Sequence, residues 1–223
     1  MFHRVSKILR SMWVPPPPVE LPVREAYARW APSYAAEAHN PLMAVEQGAV
    51  LDLLPDVAGA IVLDLACGTG RYAKLARARG AAAAIGLDLS PEMLRTGAGV
   101  ATGVARGDLA SLPFRTGAVG VVICGLAVGH LQRLDGAIGE MGRVLAPRGT
   151  LLYSDFHPSA YRAGQRRTFS ADGARYAVEH HVHSHSAHLA ACRAAGLDID
   201  AVRELGGGNG VAAVLVIRAR RRK

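Results

Sequence analysis

Cysteine is scarce in this chain: Cys67, Cys124 and Cys192 are the only three in 223 residues, and no C-x-x-C pair occurs. That excludes a disulfide framework and a cysteine-built zinc cluster, and the expected setting is a reducing, cytoplasmic one. No apolar stretch reaches membrane-spanning length, and the N-terminus lacks the continuous apolar core of a signal peptide. Internal repeats are absent. Acids are missing from both ends, where Arg4, Lys7 and Arg10 on one side and Arg218, Arg220, Arg221, Arg222 and Lys223 on the other supply the whole formal charge of +8. The body is therefore formally neutral, which argues against a broad basic groove and so against nucleic acid as partner. The basic ends read as solvated tails.

What is present is enough apolar material, 50% of residues, for one sizeable α/β domain. Its organising stretch is Ile61 to Tyr72, IVLDLACGTGRY. An apolar strand ends in Asp64 and passes through Leu65-Ala66-Cys67 into Gly68-Thr69-Gly70. A helical pattern then begins, with Tyr72, Ala73, Leu75 and Ala76 apolar and Arg71, Lys74, Arg77 and Arg79 charged. Glycine admits positive φ and close approach of a ligand to the main chain, and a new helix offers free N–H groups. Gly68-x-Gly70-x-x-Ala73, with Asp88 downstream, also fits the dinucleotide fingerprint. Asp64 tips the balance. A carboxylate just before the turn repels a diphosphate but suits a cofactor that carries an ammonium and a sulfonium.

Asp64-Leu-Ala-Cys-Gly-Thr-Gly70 closely resembles motif I of the class I S-adenosylmethionine-dependent methyltransferases, with Ala66 where many members have glycine. The resemblance covers residues 27–217 and implies a doubly wound, Rossmann-like, seven-stranded α/β sheet, mostly parallel with an antiparallel last strand. It implies S-adenosylmethionine as cofactor, with Asp64, Ala66, Cys67, Gly68 and Gly70 around its methionine part. Asp88 closes the second strand, before Leu89-Ser90-Pro91 starts a helix that carries Met93, and it matches the acid that grips the ribose. Asp108 and Leu109, in Arg106-Gly-Asp-Leu109, match the adenine contacts, and Cys124 ends the buried strand Val119–Cys124 beside them. Tyr27-x-x-Trp30-Ala-Pro-x-Tyr34 is similar to the segment that closes over the cofactor in this family.

His130, in the loop after Val119–Cys124, and His157, after the strand Thr150–Ser154, are the two candidate bases. A structural histidine is the alternative at His130. His180, His181, His183, His185 and His188 cluster within nine residues; His181, His183 and His185 would share one face of a strand, but no metal is assigned to them. The expected organisation is a basic arm and proline-rich linker over 1–21, one methyltransferase domain over 22–219 and a basic tail over 220–223. Residues 157–185 form an inserted hairpin, turning at Ala171-Asp172-Gly173, that covers the substrate pocket.

The function expected is methyl transfer to an oxygen, nitrogen or carbon of a small-molecule acceptor. The Asn/Asp-Pro-Pro-Tyr loop of nucleic-acid amino-methylases is absent, and the style is similar to quinone- and biotin-pathway methyltransferases. The competing readings are an NAD(P)-linked oxidoreductase and a non-catalytic cofactor-binding regulator or assembly partner. The sequence sets no oligomeric state.

Overall fold

The apolar runs alternate between two buried faces of one sheet in the computed structural model of the chain, which describes residues 16–206 and 210–223. In chain order the elements are β1 (Val19–Leu21), α1 (Val23–Trp30), α2 (Pro41–Leu53), β2 (Ile61–Leu65), α3 (Arg71–Ala78), β3 (Ala83–Asp88), α4 (Pro91–Thr96) and β4 (Gly103–Arg106). There follow β5 (Val119–Cys124), α5 (Asp135–Val144), β6 (Leu145–Phe156), α6 (Pro158–Arg162), β7 (Thr168–Ala171), β8 (Ala174–Val178), α7 (His185–Ala194), β9 (Leu197–Gly206) and β10 (Ala212–Arg221). The large sheet has the order β4-β3-β2-β5-β6-β10-β9, and only β10 runs against its neighbours. This is the doubly wound, mostly parallel sheet expected. Along β2, Leu63 and Leu65 join Val122, Ile138 and Met141 on one face, whereas Val62 joins Val50, Ala76 and Ile123 on the other. A period of two with both faces covered explains the nearly continuous apolar runs. The strand order reverses between β2 and β5, where such sheets bind ligands at the carboxyl ends of the strands.

A buried polar network holds that edge together. Glu46 of α2 is fully buried and pairs with Arg71 of α3 at 2.8 Å. Ser154 of β6 donates to Glu46 Oε1 at 2.6 Å and accepts from the Leu126 N–H at 2.7 Å. Two helices, a strand and the loop after β5 are thus tied through one carboxylate.

A second, three-stranded sheet stands over the carboxyl edge, in the order β1-β8-β7. The β7–β8 hairpin turns through Asp172 and Gly173 with φ of 50° and 73°, the double positive φ of a two-residue type I′ turn. Phe169 of this hairpin stacks on Trp30 of α1 at 4.8 Å, 7° from parallel, and Tyr34 meets Trp30 edge-on at 4.8 Å. The N-terminal helix and the insertion therefore make one cap.

Three expectations are corrected. Residues 19–21 are no linker: β1 pairs in parallel with β8, because the hairpin leaves an edge that an extended chain can fill. The C-terminal basic run is not a solvated tail, since β10 continues to Arg221 and meets acids on β9. Arg218 and Arg220 bond Asp200 at 2.8 and 3.2 Å, and Arg222 bonds Asp198 at 2.8 Å. His181, His183 and His185 share no strand face either, because residues 179–184 are irregular and His185 opens α7, capped by Ser184. Arg4, Lys7 and Arg10 of the basic arm lie outside the described residues.

Removing one member of a buried ion pair strands its partner's charge, at about 3–5 kcal/mol. Glu46→Ala should lower the free energy of unfolding by about that amount in urea denaturation; a loss under ~1 kcal/mol would show that Arg71 finds water instead.

Candidate functional site

The turn after β2 is shaped by positive φ at Ala66 (48°), Gly68 (56°) and Gly70 (90°). It is held from both sides by carboxylates. Asp64 Oδ2 accepts from the Ala73 N–H at 2.8 Å, and Asp88 Oδ2 accepts from the Gly68 N–H at 2.7 Å while its Oδ1 accepts from the Ser90 N–H at 2.8 Å. Burial raises both acids, and Asp64 is pushed up to about 7. Asp64 accepts one backbone hydrogen through Oδ2 and Asp88 accepts one at each oxygen, so lone pairs remain for a ligand.

These groups open on a cavity of about 230 Å³ between the strand tips and the cap. Asp64, Ala66, Cys67, Gly68, Asp88, Leu89, Met93, Asp108, Leu109 and His130 all line it, as does Tyr34. Asp108 is pinned by accepting from the Ala110 N–H at 2.9 Å. At Gly68 a side chain would meet nothing closer than Met93 Sδ and Tyr34 Cε1, both at 3.9 Å, so the main chain itself forms part of the wall.

Three predicted site residues fall elsewhere. Cys124 is wholly buried in the core beside Leu63 and Tyr153, because its position in β5 faces α5 rather than the cavity. Gly70 caps α3 and packs on Val100, where a Cβ would come within 2.9 Å of Val100 Cγ1; its role is the turn. His157 lies outside the cavity lining. Its Nδ1 caps α6 against Ser159 N–H at 3.1 Å, and its Nε2 faces Glu204 at 3.9 Å.

His130 does line the cavity, but its nitrogens are committed. A carbonyl only accepts, so Nδ1, 3.1 Å from Glu179 O, must carry the proton. Nε2 is then the acceptor, 2.9 Å from the Tyr27 hydroxyl and 3.0 Å from Arg167 Nη1. Burial and then the Arg167 charge hold the imidazolium pKa well below its usual value. This geometry is that of the structural alternative at His130: the ring holds the Tyr27 hydroxyl and Arg167 at the cavity wall.

Sequence reasoning missed Arg167, which is buried, donates to Leu126 O and has no acidic partner within ion-pairing distance among the described residues. Nothing local marks it, since it sits in an insertion of alternating residues. Arg71 and Tyr72 also line the cavity, although a charged residue at a helix start reads as solvent-facing. The histidine cluster disperses: His183 bonds Leu131 O at 2.8 Å, His188 meets the Tyr153 hydroxyl at 3.2 Å, and His180 and His188 flank buried Asp155 at 3.8 Å each.

Residues 63–153 match the family model for the methyltransferase domain. That stretch runs from β2 into β6 and carries the glycine turn with Asp64, Asp88 and Asp108, so this part of the chain is similar to methyltransferase domains. Among individual relatives, the chain is 31% identical over 170 residues to a malonyl-[acyl-carrier protein] O-methyltransferase of Dechloromonas aromatica, covering 74% of this chain and 62% of that one. It is 33% identical over 115 residues to a demethylmenaquinone methyltransferase of Thermus thermophilus, covering 48% and 52%. The chain spans about half the length of the first curated relatives it matches. An S-adenosylmethionine-dependent methyltransferase from Mesorhizobium loti shares the fold, with a TM-score of 0.68 at 22% identity over 79% of this chain and 98% of that one. No helix among the described residues is long and apolar enough to cross a membrane.

Ala66 stores strain, because an L-residue in the left-handed region costs roughly 1–2 kcal/mol, while glycine there costs only its unfolded-state entropy, roughly 0.5–1 kcal/mol. Ala66→Gly should stabilise the protein by about 0.5–1 kcal/mol, a Tm rise of roughly 1–4 °C in a thermal melt; a fall in Tm would show that the methyl's packing outweighs the strain.

Proposed function

We propose that this chain transfers the methyl group of S-adenosylmethionine to a small, anionic acceptor. One observation carries the reading: Asp64, Asp88 and Asp108, at three neighbouring strand ends, line a single cavity around a glycine turn. The residues fit the cofactor. Asp64 is a buried carboxyl with a single backbone donor and suits an ammonium; the free lone pairs of Asp88 suit a pair of hydroxyls; and the open face at Gly68 admits a chain along the main chain. Asp108 and buried Leu109 would flank the base, with Met93 beneath it.

When bound, the cofactor supplies an electrophilic methyl on a sulfonium. This chain's own contribution is to orient the acceptor and exclude water, which is where much of the rate of such a displacement comes from. Arg167 is the group for the acceptor. It is a buried cation with no carboxylate partner among the described residues, held by Leu126 O and His130 at the cavity wall. An acceptor that arrives as an anion needs no base, which agrees with His130 having its lone pair already occupied. A relative named for O-methylation of a malonyl group supports an acceptor of this charge. The domain division, with 157–185 as a substrate cap, fits the same reading: the insertion supplies Arg167.

Calorimetry tests the cofactor. S-adenosylhomocysteine should bind saturably and NADH should not, and the reverse result overturns the proposal in favour of an oxidoreductase. Burial keeps the Asp64 carboxyl protonated up to about 7, so affinity for S-adenosylhomocysteine should rise as pH rises through that value and then level off. In the free protein the sign is opposite: the raised pKa adds stability at low pH that is lost as pH rises through about 7. Asp64→Asn should remove both dependences.

A panel of carboxylates, phenols and amines tests the acceptor. Turnover should be confined to acceptors ionised at the assay pH. A hydrogen bond to a charged group contributes roughly 1.5–3 kcal/mol, so Arg167→Met should raise the acceptor KM by roughly 10–100-fold while changing S-adenosylhomocysteine affinity less than about two-fold. Preferred turnover of a neutral amine would refute the anionic acceptor, and cofactor binding with no turnover on any acceptor would favour a regulatory protein.

A further inference from the structure

His157, His185 and Glu204 meet at the carboxyl edge of the sheet, outside the lining of the cofactor cavity, brought together by the end of β6, the first residue of α7 and β9. One ligating atom from each lies within 4.8 Å of the other two. His185 Nε2 is 2.6 Å from Glu204 Oε1, and His157 Nε2 is 3.9 Å from the same oxygen. The two rings stand 5.5 Å apart, edge to face.

His157 supplies the independent sign of a missing partner. Its side chain is only 7% exposed, and Nε2 is enclosed without any hydrogen-bond partner. A buried polar atom left unpaired is costly, so its orientation calls for a group that it can bind. The ring is fixed from behind by Ser159, whose N–H and Oγ lie 3.1 and 2.7 Å from Nδ1. As the cap acceptor for Ser159 N–H, Nδ1 is unprotonated and Nε2 carries the proton; ligation through Nε2 would move that proton to Nδ1, which would then donate to Ser159 Oγ, whose own hydrogen goes to Ala212 O at 2.8 Å. That chain is the outer-shell support that metal-bound histidines have. Neutral imidazoles and a carboxylate are a borderline N₂O donor set suited to zinc, with the fourth position left to water.

We propose that His157, His185 and Glu204 bind one divalent transition-metal ion of the zinc type. The two histidines bracket the whole 157–185 insertion, and Glu204 belongs to the sheet. The ion would join both ends of the insertion to the body of the domain, beneath the cap that carries Arg167. Its contribution is structural, and the site stands independently of the proposed reaction. Binding would exchange the His185–Glu204 hydrogen bond for two metal bonds, the proton on His185 Nε2 passing to Nδ1.

The test uses the full chain without a histidine tag, stripped with a chelator and titrated with Zn²⁺ and Co²⁺ by calorimetry and absorbance. One equivalent should bind, raise the Tm and protect the insertion from limited proteolysis, and Co²⁺ should give the intense visible bands of a four-coordinate site. His185→Ala and Glu204→Gln change exposed ligands that the fold does not require, and each should weaken Zn²⁺ binding by at least ~10–100-fold. His181→Ala, a change outside the trio, should leave binding intact. Absence of saturable binding to the unmodified chain overturns the site. So does binding that survives both ligand substitutions, or that is lost in His180→Ala, which would place the ion at Asp155 instead.

Discussion

Everything at the carboxyl edge of the sheet depends on two acids that bond to the same turn from opposite sides. Asp64 fastens the start of α3 through the Ala73 N–H, and Asp88 fastens the Gly68 N–H. Removing either acid takes away the acceptor of one of these backbone donors. The left-handed residues between them need that restraint, since Ala66 is held against its conformational preference. The cost is visible in the acids themselves: both are buried, and both are raised by desolvation. A ligand that favours the ionised forms would offset that cost.

The cofactor half of the cavity was legible because its signals are local. Asp64, Gly68 and the start of α3 lie within ten residues, and Asp88 and Asp108 each follow a short strand whose end the turn residues announce. Topology then carries three strand ends to one place. Cys124 and Gly70 were misplaced for a simple reason: being next to a site along the chain does not decide which way a side chain faces. Cys124 falls on the face of β5 covered by α5, and Gly70 is needed where it packs on Val100. His157 is a similar case, because the chain turns into α6 as β6 ends and takes its side chain toward β9.

The half of the cavity proposed for the acceptor was not legible, and the reason is long range. Arg167 meets His130 and Leu126 across 37 and 41 residues, and Tyr27 meets His130 across 103. No periodicity encodes such pairings. Charge counting misled at the C-terminus for the same reason: Arg218, Arg220 and Arg222 look solvated until β9 places Asp198 and Asp200 opposite them. The cation at the cavity wall that has no acid beside it among the described residues is Arg167, which the formal neutrality of the body between the basic ends conceals.

The two halves are built by different means, and this bears on how the chain selects its substrate. The strand ends and the glycine turn are fixed by a sheet buried on both faces, so the cofactor side has little freedom to vary. The cap is assembled from β1 and α1 on one side and a hairpin on the other, joined by the Trp30–Phe169 stack and the short β1–β8 pairing. Its only reach into the cavity wall from the hairpin side is through Arg167, which bonds the loop after β5, and that loop is itself tied through Ser154 to Glu46 and Arg71. The buried network therefore couples the lie of the cap to the elements that carry the cofactor turn. On the proposed reading, a change of acceptor charge is met at Arg167 and its neighbours in the cap without disturbing Asp64 or Asp88. A change at Glu46 would be felt on both sides at once.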